Sequence, residues 1–218
     1  MFIKEIEMSK VLYIKGNAQL EEKSKSLQVG KIFLNEYKGA NPEDEIIEID
    51  LYEDNIPMLD KEVFNAWDSL AKGEAFESLS ESQKNKIIRL GEIVDQFMEA
   101  DKYVFVTPLW NFSIPPMVKA YIDAICIAGK TFKYTENGPV GLLKGKKLLN
   151  IQASGTKFSE TPIENLEHGS NYIKVVAGFV GIEDVSVFHV EGIAQNPDRA
   201  EEIFDKAKAD VVAVAKNF

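Results

Sequence analysis

The chain predicts an α/β fold, a doubly wound, five-stranded parallel sheet with helices on both faces, and three observations support it. Short apolar runs, β-branched and aromatic and lacking polar alternation, recur along the sequence, as buried parallel strands require. Segments with apolar residues at helical spacing separate them. The two kinds alternate as β-α-β-α-β-α-β-α-β-α, which implies helical crossovers between parallel strands. A strand order of 2-1-3-4-5 is expected, within one domain spanning residues 1–218 in which residues 1–9 are an N-terminal extension.

The elements follow in order. Val11-Leu12-Tyr13-Ile14 is the first strand, and Lys15 to Lys23 the polar loop after it. Ser24-Lys25-Ser26 opens a helix reaching about Lys38. Ile46-Ile47-Glu48-Ile49 is strand two, and its neighbouring charges suit a sheet edge. From Leu51 to Leu79 the pattern weakens into a long excursion with a short helix near Glu62–Ala71. Ser80-Glu81-Ser82-Gln83 is a capping box for a helix whose stripe is Ile87, Leu90, Val94, Phe97 and Met98. Tyr103-Val104-Phe105-Val106 is strand three. The segment Thr107 to Pro115-Pro116 then leads into a helix through Val118, Tyr121, Ile122 and Ile125. Gly129 to Pro139 reads as an aromatic hairpin arm with its turn at Asn137-Gly138. Lys147 to Ile151 is strand four, Pro162 to Phe179 a helix, and Val185 to Phe188 strand five. Asn196-Pro197 caps a last helix striped by Ile203, Phe204, Ala207, Val211 and Val214.

A net charge of −10 disfavours nucleic acid and anionic membranes as partners. The single cysteine, Cys126, excludes an intrachain disulfide framework and fits a reducing compartment. No run approaches the length of a membrane span and the start lacks a signal peptide, so a cytoplasmic location is expected. His168 and His189 lack ligand spacing, and no metal site is expected.

Chemistry concentrates in three loops that such a sheet gathers at one edge. Ser24, Lys25 and Ser26 place hydroxyls and free amides at a helix N-terminus, a ready anion site, although a serine there is equally a plain cap. Pro108, Leu109, Trp110, Asn111 and Phe112 offer a flat apolar wall with a polar edge; packing on the core is the alternative. Ala153, Ser154, Gly155 and Thr156 allow close backbone approach. A phosphate attached to a planar heterocycle satisfies all three, and FMN is the natural candidate. No Walker loop or GxGxxG is present.

Pro108-Leu109-Trp110-Asn111-Phe112, the Gly129–Pro139 run, Gly178-Phe179-Val180-Gly181-Ile182 and Glu191-Gly192-Ile193 together resemble the FMN-dependent NADH-azoreductase family of flavodoxin-like quinone and azo reductases. The resemblance spans nearly the whole chain from Lys10. It implies a homodimer with FMN at the subunit interface and ping-pong hydride transfer from NADH or NADPH to quinones and azo compounds. It implies phosphate binding by Ser24, Lys25 and Ser26, ring contacts from Leu109 to Phe112, and polar-edge contacts from Ala153 to Thr156. Phe132 and Tyr134 match an arm that shapes the substrate pocket, with Asn111 and Phe112. Two departures stand out: Gly16, where many members place a polar residue near the phosphate, and Thr156, where glycine is usual. No catalytic acid or base is expected, because stacked hydride transfer relies on proximity and on the cofactor's own chemistry. The competing reading is a flavodoxin-like FMN electron carrier without nicotinamide turnover.

Overall fold

The structure, a computed structural model, describes residues 8–218. The expected N-terminal extension lies mostly outside them. Strands β1 (Lys10–Lys15), β2 (Glu45–Asp50), β3 (Lys102–Pro108), β6 (Lys147–Ala153) and β7 (Asp184–Val190) form one parallel sheet. Its order is β2-β1-β3-β6-β7. Counted within this sheet alone, β6 and β7 are its fourth and fifth strands; the arm adds two strands of its own, β4 (Phe132–Thr135) and β5 (Gly138–Gly141), in a separate antiparallel pair.

Both faces of the sheet are covered, which is why its central strands carry no polar alternation. Val11 and Tyr13 face one way with Val104, Val106, Leu149 and Ile151. They meet α1 (Lys25–Ala40) and α6 (Ala200–Asn217) through Val29, Phe33, Phe204 and Val211. Leu12 and Ile14 face the other way with Tyr103 and Phe105. They meet α2 (Lys61–Ala71), α3 (Glu81–Glu99), α4 (Pro116–Ile125) and α5 (Gly169–Val180). Phe97 stacks on Tyr103 at 4.1 Å between centroids, and its full burial stabilises that layer by about 2–3 kcal/mol. β2 is the half-exposed edge that its charges imply.

Local signals act as their chemistry dictates at most helix starts. The Ser80–Gln83 capping box is complete, with Gln83 N–H donating to Ser80 Oγ at 3.2 Å and Ser80 N–H to Gln83 Oε1 at 3.0 Å. Pro115 and Pro116 lead into α4 without sacrificing a helical bond. Two boundaries differ from expectation. The segment after Pro162 is not helical until Gly169: it runs through a 3₁₀ turn at Glu164–Leu166, with Glu160 in the left-handed region. Likewise Asn196-Pro197 opens a 3₁₀ turn, and α6 begins only at Ala200.

The arm turns at Glu136-Asn137, one residue before the expected position. Thr135 pairs with Gly138, whose φ of 104° suits a glycine closing a type I turn. At the arm's root, Leu143 N–H donates to Val180 O at 2.8 Å. There Gly141 meets Gly181 so closely that a Cβ on Gly141 would lie 2.1 Å from the Gly181 nitrogen.

Candidate functional site

The carboxyl ends of β1, β3, β6 and β7 open on one cleft of about 280 Å³. At one end, α1 begins with Ser24 as its N-cap, and Leu27 N–H donates to Ser24 Oγ at 3.2 Å. Asn17, in the loop after β1, donates its side-chain amide to Ser24 Oγ at 2.7 Å and reaches Ser26 Oγ at 3.5 Å. The two hydroxyls lie 3.1 Å apart, and all three side chains are buried. Ser24 is therefore both a cap and part of a donor cluster. Around it the first-turn amides of α1 have no helical acceptor, so the end of the helix favours negative charge. The Lys25 ammonium sits 4.0 Å from the centre of the Phe204 ring, so its main chain rather than its charge faces this cluster.

Pro108, Leu109 and Trp110 form an apolar wall across the cleft. Trp110 continues it towards Tyr52, with ring centres 6.4 Å apart. The wall ends in a tight turn in which Trp110 and Ser113 exchange two main-chain hydrogen bonds of 2.9 and 3.0 Å. Its central residues, Asn111 and Phe112, have φ values of 49° and 68°. Asparagine tolerates that region; phenylalanine does so at a cost of about 1–3 kcal/mol. Phe112 rests edge-on against Phe158, 6.2 Å away.

The third side is Ala153, Ser154 and Gly155, joined by Ile193 and Ala194 from the loop after β7. These loops are laced together: Ser154 N–H donates to Val190 O at 2.9 Å, and Ala194 N–H to Gly155 O at 3.0 Å. Leu109 N–H donates to Ala153 O at 2.8 Å, extending the β3–β6 pairing into the cleft wall.

Nine expected site residues meet in this cleft: Ser24, Lys25, Ser26, Pro108, Leu109, Trp110, Ala153, Ser154 and Gly155. The others do not line it. Gly16 turns its Cβ position into the core, 2.4 Å from a Val118 methyl, so a polar residue there would point away from the hydroxyl cluster. Asn111 and Phe112 lie beyond Trp110 and are exposed, Phe112 by 51%. Thr156 contributes a carbonyl to Ser154 Oγ at 2.7 Å. Phe132 is buried at the arm's root, 4.4 Å from Phe179 between centroids, while Tyr134 is 74% exposed.

Sequence reading missed Asn17, Gln19, Ile193 and Ala194. Asn17 stood in a loop read only as polar. The 193–194 pair follows the fifth strand, where the Glu191-Gly192-Ile193 run carried the family resemblance but was given no site role. A second hollow, of about 230 Å³, lies beside the cluster and shares Asn17 and Gln19. Glu21, Glu48, Asp50 and Glu53 line it against Lys15 and Lys31, and this acidic excess suits it less to a phosphate.

The residues present fit FMN: buried hydroxyl and amide donors at a helix N-terminus for the phosphate, a tryptophan-bearing wall for a ring, and small residues opposite. Among the described residues no group of three or more metal-ligating side chains comes together. No described helix is long and apolar enough to cross a membrane.

Comparison with known proteins agrees with this geometry. Residues 9–215 match a family model described as flavodoxin-like fold. The chain is 51% identical over 211 residues to FMN-dependent NADH:quinone oxidoreductase 2 of Bacillus subtilis, covering 97% of this chain and 100% of the relative. It is 50% identical to FMN-dependent NADH:quinone oxidoreductase of Geobacillus kaustophilus, covering 96% and 98% of the two. Among solved structures, azoreductase from Bacillus anthracis superposes with a TM-score of 0.88 at 37% identity, covering 97% and 100%. An FMN-dependent NADH-azoreductase from Bacillus anthracis, solved in complex with FMN, gives 0.86 at 36% identity, covering 95% and 100%. By family match and by full-length identity, the chain belongs to the flavodoxin-like FMN-dependent NADH:quinone oxidoreductases and azoreductases.

Proposed function

We propose that this protein is an FMN-dependent oxidoreductase carrying reducing equivalents from NADH to quinones and aromatic azo compounds. The observation that carries the reading is the single cleft in which the Asn17–Ser24–Ser26 cluster, the Leu109–Trp110 wall and the Ser154–Gly155 loop face one another. Bound FMN supplies the two-electron redox chemistry. The chain's residues bind and orient. Ser24, Ser26 and Asn17 hold the phosphate, with the α1 amides adding donors and positive dipole. Leu109 and Trp110 exclude water from one side of the ring, and Ser154 and Gly155 let main-chain groups approach its polar edge. Cleaving an azo bond to two amines consumes two NADH and two protons, hence two successive turnovers at one site.

A homodimer completes the proposal. Phe112, Tyr134, Val140, Leu142 and Val175 are exposed apolar side chains on the turn, the arm and α5, a distribution that suits a second copy rather than solvent. Pairing there would bring the Tyr134 arm to the neighbouring cleft. The single cysteine supports a reducing, cytoplasmic setting.

The test is the visible spectrum of the purified, FMN-reconstituted protein, followed by anaerobic NADH and then menadione. Flavin bands that bleach with NADH and return with menadione are expected. Bands that resist both nicotinamides yet bleach with dithionite would overturn the reading in favour of an electron carrier.

A further inference from the structure

The strained turn beside the cleft is held from behind. His168 N–H donates to Phe112 O at 2.8 Å, so the first residue before α5 grips the carbonyl at the left-handed position. Glu167, next to it, is 4% exposed. Its Oε1 accepts from Gln152 Nε2 at 3.0 Å and from Ser170 N–H at 2.8 Å, and its Oε2 accepts from the Ser170 hydroxyl. The carboxylate thereby ties the start of α5 to the end of β6, and it caps a helix whose N-cap residue, His168, offers no side-chain cap. Gly169 closes the contact: a Cβ there would lie 2.8 Å from Leu109 Cδ1 and 2.5 Å from Gln152 Oε1.

We infer that Glu167 is a positioning residue, which sets the register of the α5 start and through it holds the Trp110–Ser113 turn in the conformation that walls the cleft. This rests on the FMN reading for its functional meaning, but the clamp itself does not. The turn's own two main-chain bonds fix its width, whereas the bond from His168 fixes its attitude to the cleft. Removing the carboxylate leaves the Gln152 amide and the Ser170 amide buried without their acceptor, and α5 must shift or fray to rehydrate them.

The experiment compares wild type, E167A, E167Q and V211A. Val211 is buried on the opposite face of the sheet, so V211A controls for lost stability alone. Hydrogen exchange is followed in flavin-free protein across residues 108–113, and FMN affinity is followed by fluorescence titration. In E167A, exchange at 108–113 should rise about tenfold and FMN should bind about tenfold more weakly; E167Q, which keeps an acceptor oxygen, should recover most of both. V211A should lower the melting temperature and move neither. Should E167A not fold, E167D takes its place: it draws the carboxylate back by one methylene from Gln152 and Ser170 and should give the same local loosening. Unchanged exchange at 108–113 in E167A or E167D overturns the inference. A wild-type protein that takes up no FMN would instead defeat the functional reading, while the exchange result still decides the clamp.

Discussion

At Glu167 a carboxylate does the work usually left to a short capping side chain, and its titration exposes that work. Burial by itself pushes the carboxyl up. The hydrogen bonds from Ser170 and Gln152, the Ser170 amide and the charge of nearby His189 outweigh it and hold the carboxyl below its ordinary range. Glu164, Lys174 and Glu191 line the same small cavity. A lowered folded value means that the stabilisation is fully present above the ordinary glutamate range near about pH 4.3. It is lost as pH falls through the folded value. The melting temperature of wild type should therefore fall more steeply below about pH 4.5 than that of E167Q, read by circular dichroism across an acid series. A parallel slope in the two proteins would contradict this assignment. Single residues were also where sequence reading ran short. Ser24 and Ser26 were legible because hydroxyls before a helix are a local signal. Asn17 and Glu167 were not, because each acts through partners seven and fifteen residues away along the chain.

Helices and strands were more legible than the seams between them. The α3 capping box and the prolines before α4 are local chemistry, and both appear where the residues put them. The start of α5 escaped because Pro162 and the polar residues after it resemble a helix start, while the true cap is a buried side chain. Helix α4 carries a prediction of its own. Its C-cap is Cys126, whose thiol burial pushes up to about 11, with Asp123 adding to the rise and Lys119 opposing it. At pH 8 the thiolate fraction is then about two orders of magnitude below that of a free cysteine. Iodoacetamide labelling of native protein should be slower than that of urea-unfolded protein by about that factor, as followed by intact mass. Labelling at equal rates would show the α4 end to be open.

For the whole molecule, the five-stranded parallel sheet followed from the alternation of short apolar runs with helical stripes. Less legible was the arm's turn, which falls at Glu136-Asn137 because Thr135 pairs with Gly138. Which exposed apolar side chains cover one another is likewise invisible in a sequence, since exposure is a property of the folded surface. The dimer proposal is tested at this scale. V175D, which places a charge on an exposed α5 position, should convert the protein from dimer to monomer in sedimentation velocity while leaving its circular dichroism unchanged. A wild-type protein that sediments as a monomer at micromolar concentration would remove the proposal altogether.

The root of the arm makes a last point. Gly141 and Gly181 touch backbone to backbone, and Gly181 has a φ of 100°, so neither position accepts a side chain without parting the arm from α5. The tip at Glu136-Asn137 is exposed, and the two strands it joins pair with each other in a sheet of their own. Variation is thus confined by construction: the tip can be lengthened, shortened or given other side chains while the root stays fixed, so the arm is built as an interchangeable part on a fixed mount.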